Sequence, residues 1–173
     1  MGKLDKWRSV YERFLEWLVI VLMVVLAAEV SVGILFRSLG KSLVWYDEVA
    51  SILLAWLTFY GSALAALKRA HIGFPGLVAS LKPALRVPAV LAGEALIFAF
   101  FALFGWMGFS ILEVLATDHL VSLSAVSVAW TQSVVPISAV LILIAQALNF
   151  PAVLAEARSG SAAKTSALAE MTH

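Results

Sequence analysis

Cysteine is absent from this sequence of 173 residues, and charged residues make up only 13% of it. Without cysteine the chain has neither disulfides nor a thiolate metal site. The formal net charge of +1 gives nucleic acid no electrostatic reason to bind. The three histidines show no metal-ligand spacing, because they lie in three separate segments: His71, His119 and His173. We therefore expect no metal, no cofactor and no nucleic-acid partner.

The sequence also lacks the residue sets that catalysis requires. It contains no Ser/His/Asp arrangement, no glycine-rich phosphate loop and no paired-carboxylate site. Hydrophobic residues account instead for 62% of the chain, well above their share in a soluble domain. We predict a membrane protein without catalytic residues, and we expect it not to be an enzyme.

Four long apolar windows predict four transmembrane helices, near residues 14–36, 49–67, 87–112 and 126–148. The second window would be about 28 Å long as a helix, close to the hydrocarbon thickness of a bilayer. We predict an all-α membrane protein in which residues 1–155 form a single four-helix transmembrane domain. The small and polar residues 156–173 predict a disordered cytoplasmic tail.

The placement of the basic residues predicts the orientation of these helices. Ten of the twelve Lys and Arg residues lie before the first span, between the second and third, or after the fourth, and only Arg37 and Lys41 lie on the other side. Because positive loops stay in the cytoplasm, both termini and the central loop are predicted to be cytoplasmic. A secretory signal peptide is the alternative interpretation of the first span, but the apolar run continues to Phe36 and no A-x-A cleavage site follows.

Three features are predicted to lie at the cytoplasmic membrane surface. Apolar residues at helical spacing before the first span predict a short interfacial helix: Leu4, Trp7, Tyr11 and Phe14. The apolar, proline-containing loop between the second and third spans predicts a short amphipathic segment. Basic residues at the end of the second span are predicted to contact lipid headgroups: Lys68, Arg69 and His71.

Small residues recur at helical spacing on two of the predicted spans. One stripe lies on the second span: Ser51, Ala55, Thr58, Ser62 and Ala65. The other lies on the third span: Ala92, Ala95, Ala99 and Ala102. Because small side chains let helix backbones approach closely, both stripes are predicted to be packing surfaces. They either join the chain's own helices or contact a partner protein.

Two carboxylates and one proline lie inside predicted spans. An unpaired carboxylate there costs at least about 2.5 kcal/mol on insertion scales, so Glu29 and Glu94 each need a proton, a partner or a nearby polar interface. For Glu94 we favour a polar contact, or a reach toward the cytoplasmic interface, over an ion relay. Glu29 is interpreted either as a contact between helices or as a contact with a partner protein. Pro136 leaves the carbonyl of Gln132 without its donor and predicts a helix kink.

The short loop between the first and second spans carries candidate interface residues. Arg37 closes the first span and Glu48 opens the second, so the two are predicted to form a salt bridge across this outer loop. Trp45 and Tyr46 would lie at the outer headgroup level, where they either anchor the chain in the membrane or contact a partner.

These residues form an ordered pattern along the chain: Arg37, Trp45, Glu48, the helix end GSALAALKRAHI at 61–72, and Trp130 with Pro136 in the last span. The pattern resembles the DctQ-like small membrane subunit of tripartite ATP-independent periplasmic (TRAP) transporters, over about Trp7 to Pro151. Asp47 beside Glu48 departs from the common family pattern and leaves open which acid pairs with Arg37.

That resemblance implies a scaffold or accessory subunit in a bacterial inner membrane. Its partners would be a large membrane subunit, which carries the substrate and sodium sites, and a periplasmic binding protein that delivers an organic acid. The small subunit would brace the large one. The residues alone leave two other functions open: a self-assembling, proton-coupled transporter that uses Glu29, and a membrane anchor for a soluble enzyme.

Overall fold

The chain folds into a row of helices, and a computed structural model describes its residues 3–70 and 81–159. Within these residues there are five helices: α1 (Lys3–Ser38), α2 (Tyr46–Leu67), α3 (Pro83–Leu115), α4 (Val128–Gln132) and α5 (Val134–Ser159). Four segments of the described chain are long and apolar enough to cross a membrane, namely α1, α2, α3, and α4 with α5 as one unit. The prediction of an all-α protein with four membrane-spanning helices is confirmed, and the cytoplasmic location of both termini stays a prediction.

α2 and α5 form the middle of the row, with α1 packed on α2 and α3 packed on α5. The buried apolar side chains form two groups, and each group draws on α1, α2 and α5. The first group comprises Leu15, Ala63, Ala66, Leu67, Ile142 and Ala145. The second comprises Leu22, Tyr60 and Val134. The outer helices α1 and α3 bury little of their surface, so their broad apolar faces point away from the core.

α1 is one continuous helix of 36 residues, about 54 Å long. The short interfacial helix expected before the first span is therefore not a separate element. Neither glycine nor proline occurs between Lys3 and Val32, so nothing interrupts the helical hydrogen bonds where the chain leaves the membrane. The predicted segment instead extends the first span beyond the roughly 30 Å of hydrocarbon.

α3 begins at Pro83, earlier than the predicted start of the third span at residue 87. Pro83 occupies the first turn, where a missing N–H breaks no bond, and Pro88 lies inside the helix. The amphipathic cytoplasmic segment predicted for the central loop falls mainly on residues 71–80. These residues, including His71, lie outside the described part of the chain.

The fourth span is interrupted between α4, which ends at Gln132, and α5, which begins at Val134. The interruption lies within one turn before Pro136, whose ring removes the N–H that would bind the Gln132 carbonyl. A neighbouring helix contacts the interruption directly, because the indole of Trp56 on α2 donates to the carbonyl of Thr131, next to Gln132, at 2.8 Å. The helix break is thus tied to α2.

α5 continues through Pro151 to Ser159, beyond the end of the predicted span at residue 148. A proline inside a helix removes one backbone hydrogen bond. The helix nevertheless continues here, because good helix formers (alanine, leucine and glutamate) follow Pro151. Residues 156–159 of the predicted disordered tail are therefore helical. The rest of that tail lies outside the described residues.

α3 and α5 cross closely through glycines that neither predicted stripe includes. A Cβ atom at Gly108 would lie 2.8 Å from Cγ1 of Val135, and one at Gly105 would lie 3.1 Å from Cβ of Ala139. The alanine stripe on α3 is exposed instead, while the stripe on α2 is exposed at its first three residues and half-buried at its last two. The two stripes therefore do not form the main crossings within the chain, because the helices are rotated to bring other small residues there.

Candidate functional site

The polar contacts between helices concentrate at the two ends of the bundle. We call the charged end the one where α1 begins and where α2 and α5 end. We call the loop end the one where α2 begins and where the loops 39–45 and 116–127 lie. Both ends carry residues that the sequence singles out.

At the charged end, α2 stops in a left-handed turn that closes its last backbone bonds. Arg69 has a φ of 54°, a conformation that glycine adopts more readily than arginine. Its N–H donates to the carbonyl of Ala66 at 3.2 Å, and the N–H of Ala70 donates to the carbonyl of Ala65 at 2.9 Å. These two bonds make a Schellman motif. An arginine held in this conformation indicates that its surroundings constrain it.

Asn149 caps the same helix end from α5. Its side chain is buried, and its Nδ2 donates to the carbonyls of Ala66 at 2.9 Å and Leu67 at 3.0 Å. Arg8 on α1 also donates to the Leu67 carbonyl, at 3.4 Å. The last carbonyls of α2, from Leu64 onward, therefore all have donors. Sequence reasoning missed Asn149, although an asparagine near the end of an apolar span was a usable signal.

Two cations at the end of α2 bind carboxylates on the neighbouring helices. Lys68 contacts Glu16 at 2.5 Å and Glu12 at 3.6 Å, both on α1. Arg69 makes two bonds with Glu156 on α5, at 2.6 and 2.8 Å. The hydrogen bond to Glu16 raises the pKa of the Lys68 ammonium above its ordinary value, so this group stays charged at neutral pH. The contact of both cations with lipid headgroups stays a prediction.

At the loop end, Glu48 joins α2 to the loop before α4. Its carboxylate accepts the backbone N–H of Val121 at 3.0 Å and that of Ser122 at 2.9 Å, and it also accepts the Ser122 hydroxyl. A carboxylate satisfies several such donors at once, with charge-assisted bonds. The predicted salt bridge between Arg37 and Glu48 is therefore wrong. Glu48 faces the loop, and across residues 3–70 and 81–159 the exposed Arg37 makes no ion pair.

α1 and α2 meet at the loop end through a glycine and an aromatic ring. A Cβ atom at Gly33 would overlap the ring of Tyr46, so the ring occupies the space that any larger side chain would need. Trp45, next to it, is 36% exposed, and Asp47 is also exposed. The structure thus places Tyr46 against α1 and leaves its two neighbours on the surface.

Glu29 lies on α1, one turn before Gly33. Both of its carboxylate oxygens are buried, and neither has a hydrogen-bond partner within the described chain. The charged side chain that acts on it is Asp47, which is also negative. The structure thus gives the Glu29 oxygens no hydrogen bond within the described chain, and both interpretations of Glu29, a contact between helices and a contact with a partner protein, stay predictions.

Glu94 lies on α3 and faces a groove between α3 and α5. Its Oε2 atom is buried and has no hydrogen-bond partner among the described residues. The other residues that line the groove are apolar. Arg69, at the end of α2, is the charged side chain that acts on Glu94. We expected Glu94 to make a polar contact with another helix. The structure instead gives it an electrostatic interaction with Arg69 and leaves Oε2 without a hydrogen bond among the described residues.

An aromatic cluster surrounds the helix break near Pro136. Trp56 on α2 contacts Trp130 on α4, with ring centroids 5.1 Å apart, and it meets the ring of Tyr60 edge-on at 6.3 Å. Trp130, which belongs to the ordered sequence pattern, is 61% exposed. The cluster therefore braces the break from α2 while one tryptophan face stays accessible.

The described residues contain no group of three or more His, Cys, Asp or Glu side chains that would hold a metal ion. The polar side chains that connect the helices at the two ends, such as Arg69, Glu48 and Asn149, bind a carboxylate or backbone groups of a neighbouring element. Their chemistry is that of fixing helices in place.

A protein-family model matches residues 26–155 of the chain, and its description is "Tripartite ATP-independent periplasmic transporters, DctQ component". The matched range covers most of the chain and contains Arg37, Trp45, Glu48 and Pro136. No curated protein matches the chain.

Proposed function

Because the chain belongs to the DctQ component family of tripartite ATP-independent periplasmic transporters, we propose that it braces the large membrane subunit of such a transporter. Family membership makes the chain a transporter subunit rather than an enzyme. Its partners in this proposal are the large transport subunit and the periplasmic substrate-binding protein. The activity that they share is the sodium-driven import of an organic acid.

The bracing role is supported by contacts that tie the helices together along the whole bundle. At the charged end, Lys68 and Arg69 connect α2 to α1 and α5. In the middle, the Trp56 indole binds the carbonyl of Thr131. At the loop end, Glu48 connects α2 to the loop before α4. A subunit fixed in this way offers a rigid frame against which a larger subunit moves.

The small-residue stripe on α2 is the surface that we assign to the large subunit. Ser51, Ala55 and Thr58 are exposed. The hydroxyl groups of Ser51 and Thr58 donate to carbonyls one turn earlier in their own helix, at 2.7 and 2.8 Å. The stripe is therefore shallow and needs no hydrogen bond from its surroundings, so a partner helix packs closely against it.

Glu29 is assigned to a partner contact as well. Its buried carboxylate lacks a donor within the described residues, and an unpaired carboxylate in a membrane costs at least about 2.5 kcal/mol on insertion scales. A hydrogen-bond donor from the large subunit would offset that cost if the half-buried Glu29 side chain turns toward it on binding.

The loop end is the surface that we assign to the substrate-binding protein. Leu39, Val44 and Val121 lie in its loops and are 73%, 85% and 96% exposed. Apolar side chains exposed together in loops outside the spans are typical of interaction sites. Trp45 lies in the same region and would add an aromatic contact.

The proposal orients the chain with its charged end in the cytoplasm and its loop end in the periplasm of a bacterial inner membrane. The excess of Lys and Arg at the charged end and on the segments that adjoin it supports this orientation. Both termini are then cytoplasmic.

Purification of an affinity-tagged chain from its own membranes tests this function. We expect a much larger, many-span membrane protein to co-purify, and we expect organic-acid uptake to stop when the chain is deleted. Thr58→Trp, on the α2 stripe, should lose most of that protein, whereas Leu103→Trp, exposed on α3, should retain it. A chain that purifies alone, and whose deletion leaves uptake unchanged, contradicts the proposal.

Glu29 also supports a second candidate function, proton-coupled transport by a self-assembled chain. A carboxylate inside a membrane without a partner is the kind of group that proton pathways use. Reconstitution of the purified chain alone in vesicles distinguishes the two functions. Proton-coupled flux that Glu29→Gln abolishes would establish the second, and the absence of flux would exclude it.

A further inference from the structure

A groove with a volume of about 420 Å³ lies between α3 and α5, near the charged end. Its lining consists of Leu91, Glu94, Ala95 and Phe98 from α3 with Ala147 and Phe150 from α5. The four α3 residues follow one another at helical spacing, so the groove runs along that helix for about 10 Å. The partner contacts assigned above do not use this groove.

One charged side chain lies within this apolar lining. The Oε2 atom of Glu94 is buried and has no hydrogen-bond partner among the described residues. An unpaired carboxylate in such surroundings is unfavourable, and a cationic donor beside it offsets the loss of hydration. The groove therefore fits a ligand that combines a cation with an apolar part.

The groove opens at the depth where headgroups meet hydrocarbon. Asn149, which lies between two lining residues of α5 in sequence, binds the carbonyls that end α2. α2 has 22 residues and is about 33 Å long, close to the thickness of the hydrocarbon layer, so its end marks this boundary. Arg69 lies just beyond the boundary and acts electrostatically on Glu94. The Glu94 carboxylate thus lies near headgroup depth, within the electrostatic influence of Arg69.

We propose that this groove binds a phospholipid whose headgroup carries a primary amine, with the ammonium on Glu94 and part of an acyl chain along α3. The ammonium donates to the Glu94 carboxylate from the groove that this side chain lines. The acyl chain covers the apolar lining.

The apolar length of the groove favours a lipid over a basic side chain of a partner protein. A lysine would satisfy Glu94 but would leave the surface between Leu91 and Phe98 uncovered. α3 is an outer helix of the row, and Leu91, Ala95 and Ala147 are exposed, so the groove opens sideways into the membrane. One phospholipid supplies both the cation and the apolar part.

Native mass spectrometry of the full chain, purified in detergent and stripped of lipid, tests this site. Phosphatidylethanolamine, phosphatidylcholine and phosphatidylglycerol with identical acyl chains are added at equal concentrations. We expect phosphatidylethanolamine to bind best, because choline has no N–H to donate and glycerol carries no cation. Glu94→Gln should weaken phosphatidylethanolamine binding roughly tenfold, the effect of one charge-assisted hydrogen bond, and should leave phosphatidylglycerol binding unchanged.

Two further variants control this measurement. Glu113→Gln removes the same charge from an exposed position near the other end of α3, and it should leave all three affinities unchanged. Ala95→Phe fills the groove without changing its charge, and it should weaken the binding of all three lipids. The second variant keeps the test decisive if Glu94→Gln disturbs the fold.

Equal binding of the three lipids, or an unchanged preference in Glu94→Gln, would overturn the proposal. A carbodiimide cross-link from Glu94 to a lysine of a co-purified protein, with no lipid retained, would also overturn it, because a partner side chain then occupies the groove. The lipid measurement uses the chain alone. Its outcome is therefore independent of whether the large subunit co-purifies.

Discussion

At the charged end, α2 is held from two neighbouring helices at once, whereas at the loop end it is held by one carboxylate and one ring. Asn149 and Arg8 bind its last carbonyls from α5 and from α1. Glu48 alone joins its first turn to the loop before α4, and Tyr46 packs on Gly33 of α1. The difference indicates that the charged end is the more stable of the two and that the loop end opens first.

Within the charged end, the contacts differ in how strongly water competes with them. Asn149 is 1% exposed. If its amide is removed, water cannot easily reach the carbonyls that it binds, so their hydrogen bonds are lost without replacement. The side chains of Lys68 and Arg69 are 42% and 40% exposed, so water and salt compete with their ion pairs. Within the charged end, we therefore expect the buried amide to contribute more than the exposed charges.

Asn149→Ala should cause the largest change, because it breaks the charged end at its buried cap. The variant removes the donor to the carbonyls of Ala66 and Leu67 and leaves a small cavity. We expect the free energy of unfolding to fall by roughly 2–4 kcal/mol, measured by denaturant or thermal unfolding in detergent. Gln146→Ala removes a half-buried amide elsewhere on α5 and is the control. Equal losses in the two variants would show that capping contributes nothing of its own.

Gly33→Ala should weaken the loop end by about 1–3 kcal/mol, because the added methyl group overlaps the ring of Tyr46 and forces it away from α1. The same unfolding measurement checks this value. Combining it with Tyr46→Ala should make the added methyl group nearly neutral. If the methyl group is equally destabilising with and without the ring, the clash is not its cause.

Glu48→Gln should act locally rather than on the whole fold. The variant removes the charge that strengthens the bonds from Val121 and Ser122, so the amide protons of these two residues should exchange faster with solvent. Hydrogen exchange followed by mass spectrometry of the loop measures this effect. Arg37→Gln is the matched control, because a salt bridge between Arg37 and Glu48 would make the two variants equivalent. We expect Arg37→Gln to leave the exchange of this loop unchanged.

Arg69→Lys should cause the smallest change. It replaces the two-bond contact with Glu156 by a single ammonium contact, and exposed ion pairs contribute only about 0.2–1 kcal/mol. The difference from the unmodified chain should shrink as salt is added. Arg158→Lys, an exposed substitution on α5, is the control. A loss as large as that of Asn149→Ala would show that the exposed ion pair stabilises the charged end as much as the buried cap.

Several parts of the fold were predictable from the sequence because they depend on local physics. Each spanning helix satisfies its own backbone in hydrocarbon, so apolar windows locate the four spans. The interruption before Pro136 follows from one missing N–H within the same turn. The ends of α1 and α5 were not predictable in this way, since both helices continue past the apolar windows into polar surroundings.

The contacts of the candidate site were harder to predict because their partners lie far apart in sequence. Glu48 binds a loop residue 73 positions later, and Asn149 binds a carbonyl 83 positions earlier. Arg37 is much nearer to Glu48 along the chain, which is why the sequence suggested that pair. Closeness in sequence predicts a contact only where the intervening chain fixes the direction of both side chains.

Composition, apolar windows and the ordered residue pattern were sufficient to establish a four-span membrane protein of a transporter-subunit family. They were not sufficient to establish which face of each helix is buried. That outcome depended on packing, because the rotation of a helix about its axis is set by its neighbours. Here, Gly105 and Gly108 bring α3 onto α5 and turn the alanine stripe outward. The same packing forms the groove that Glu94 lines, and the tertiary structure brings the loop before α4 to Glu48.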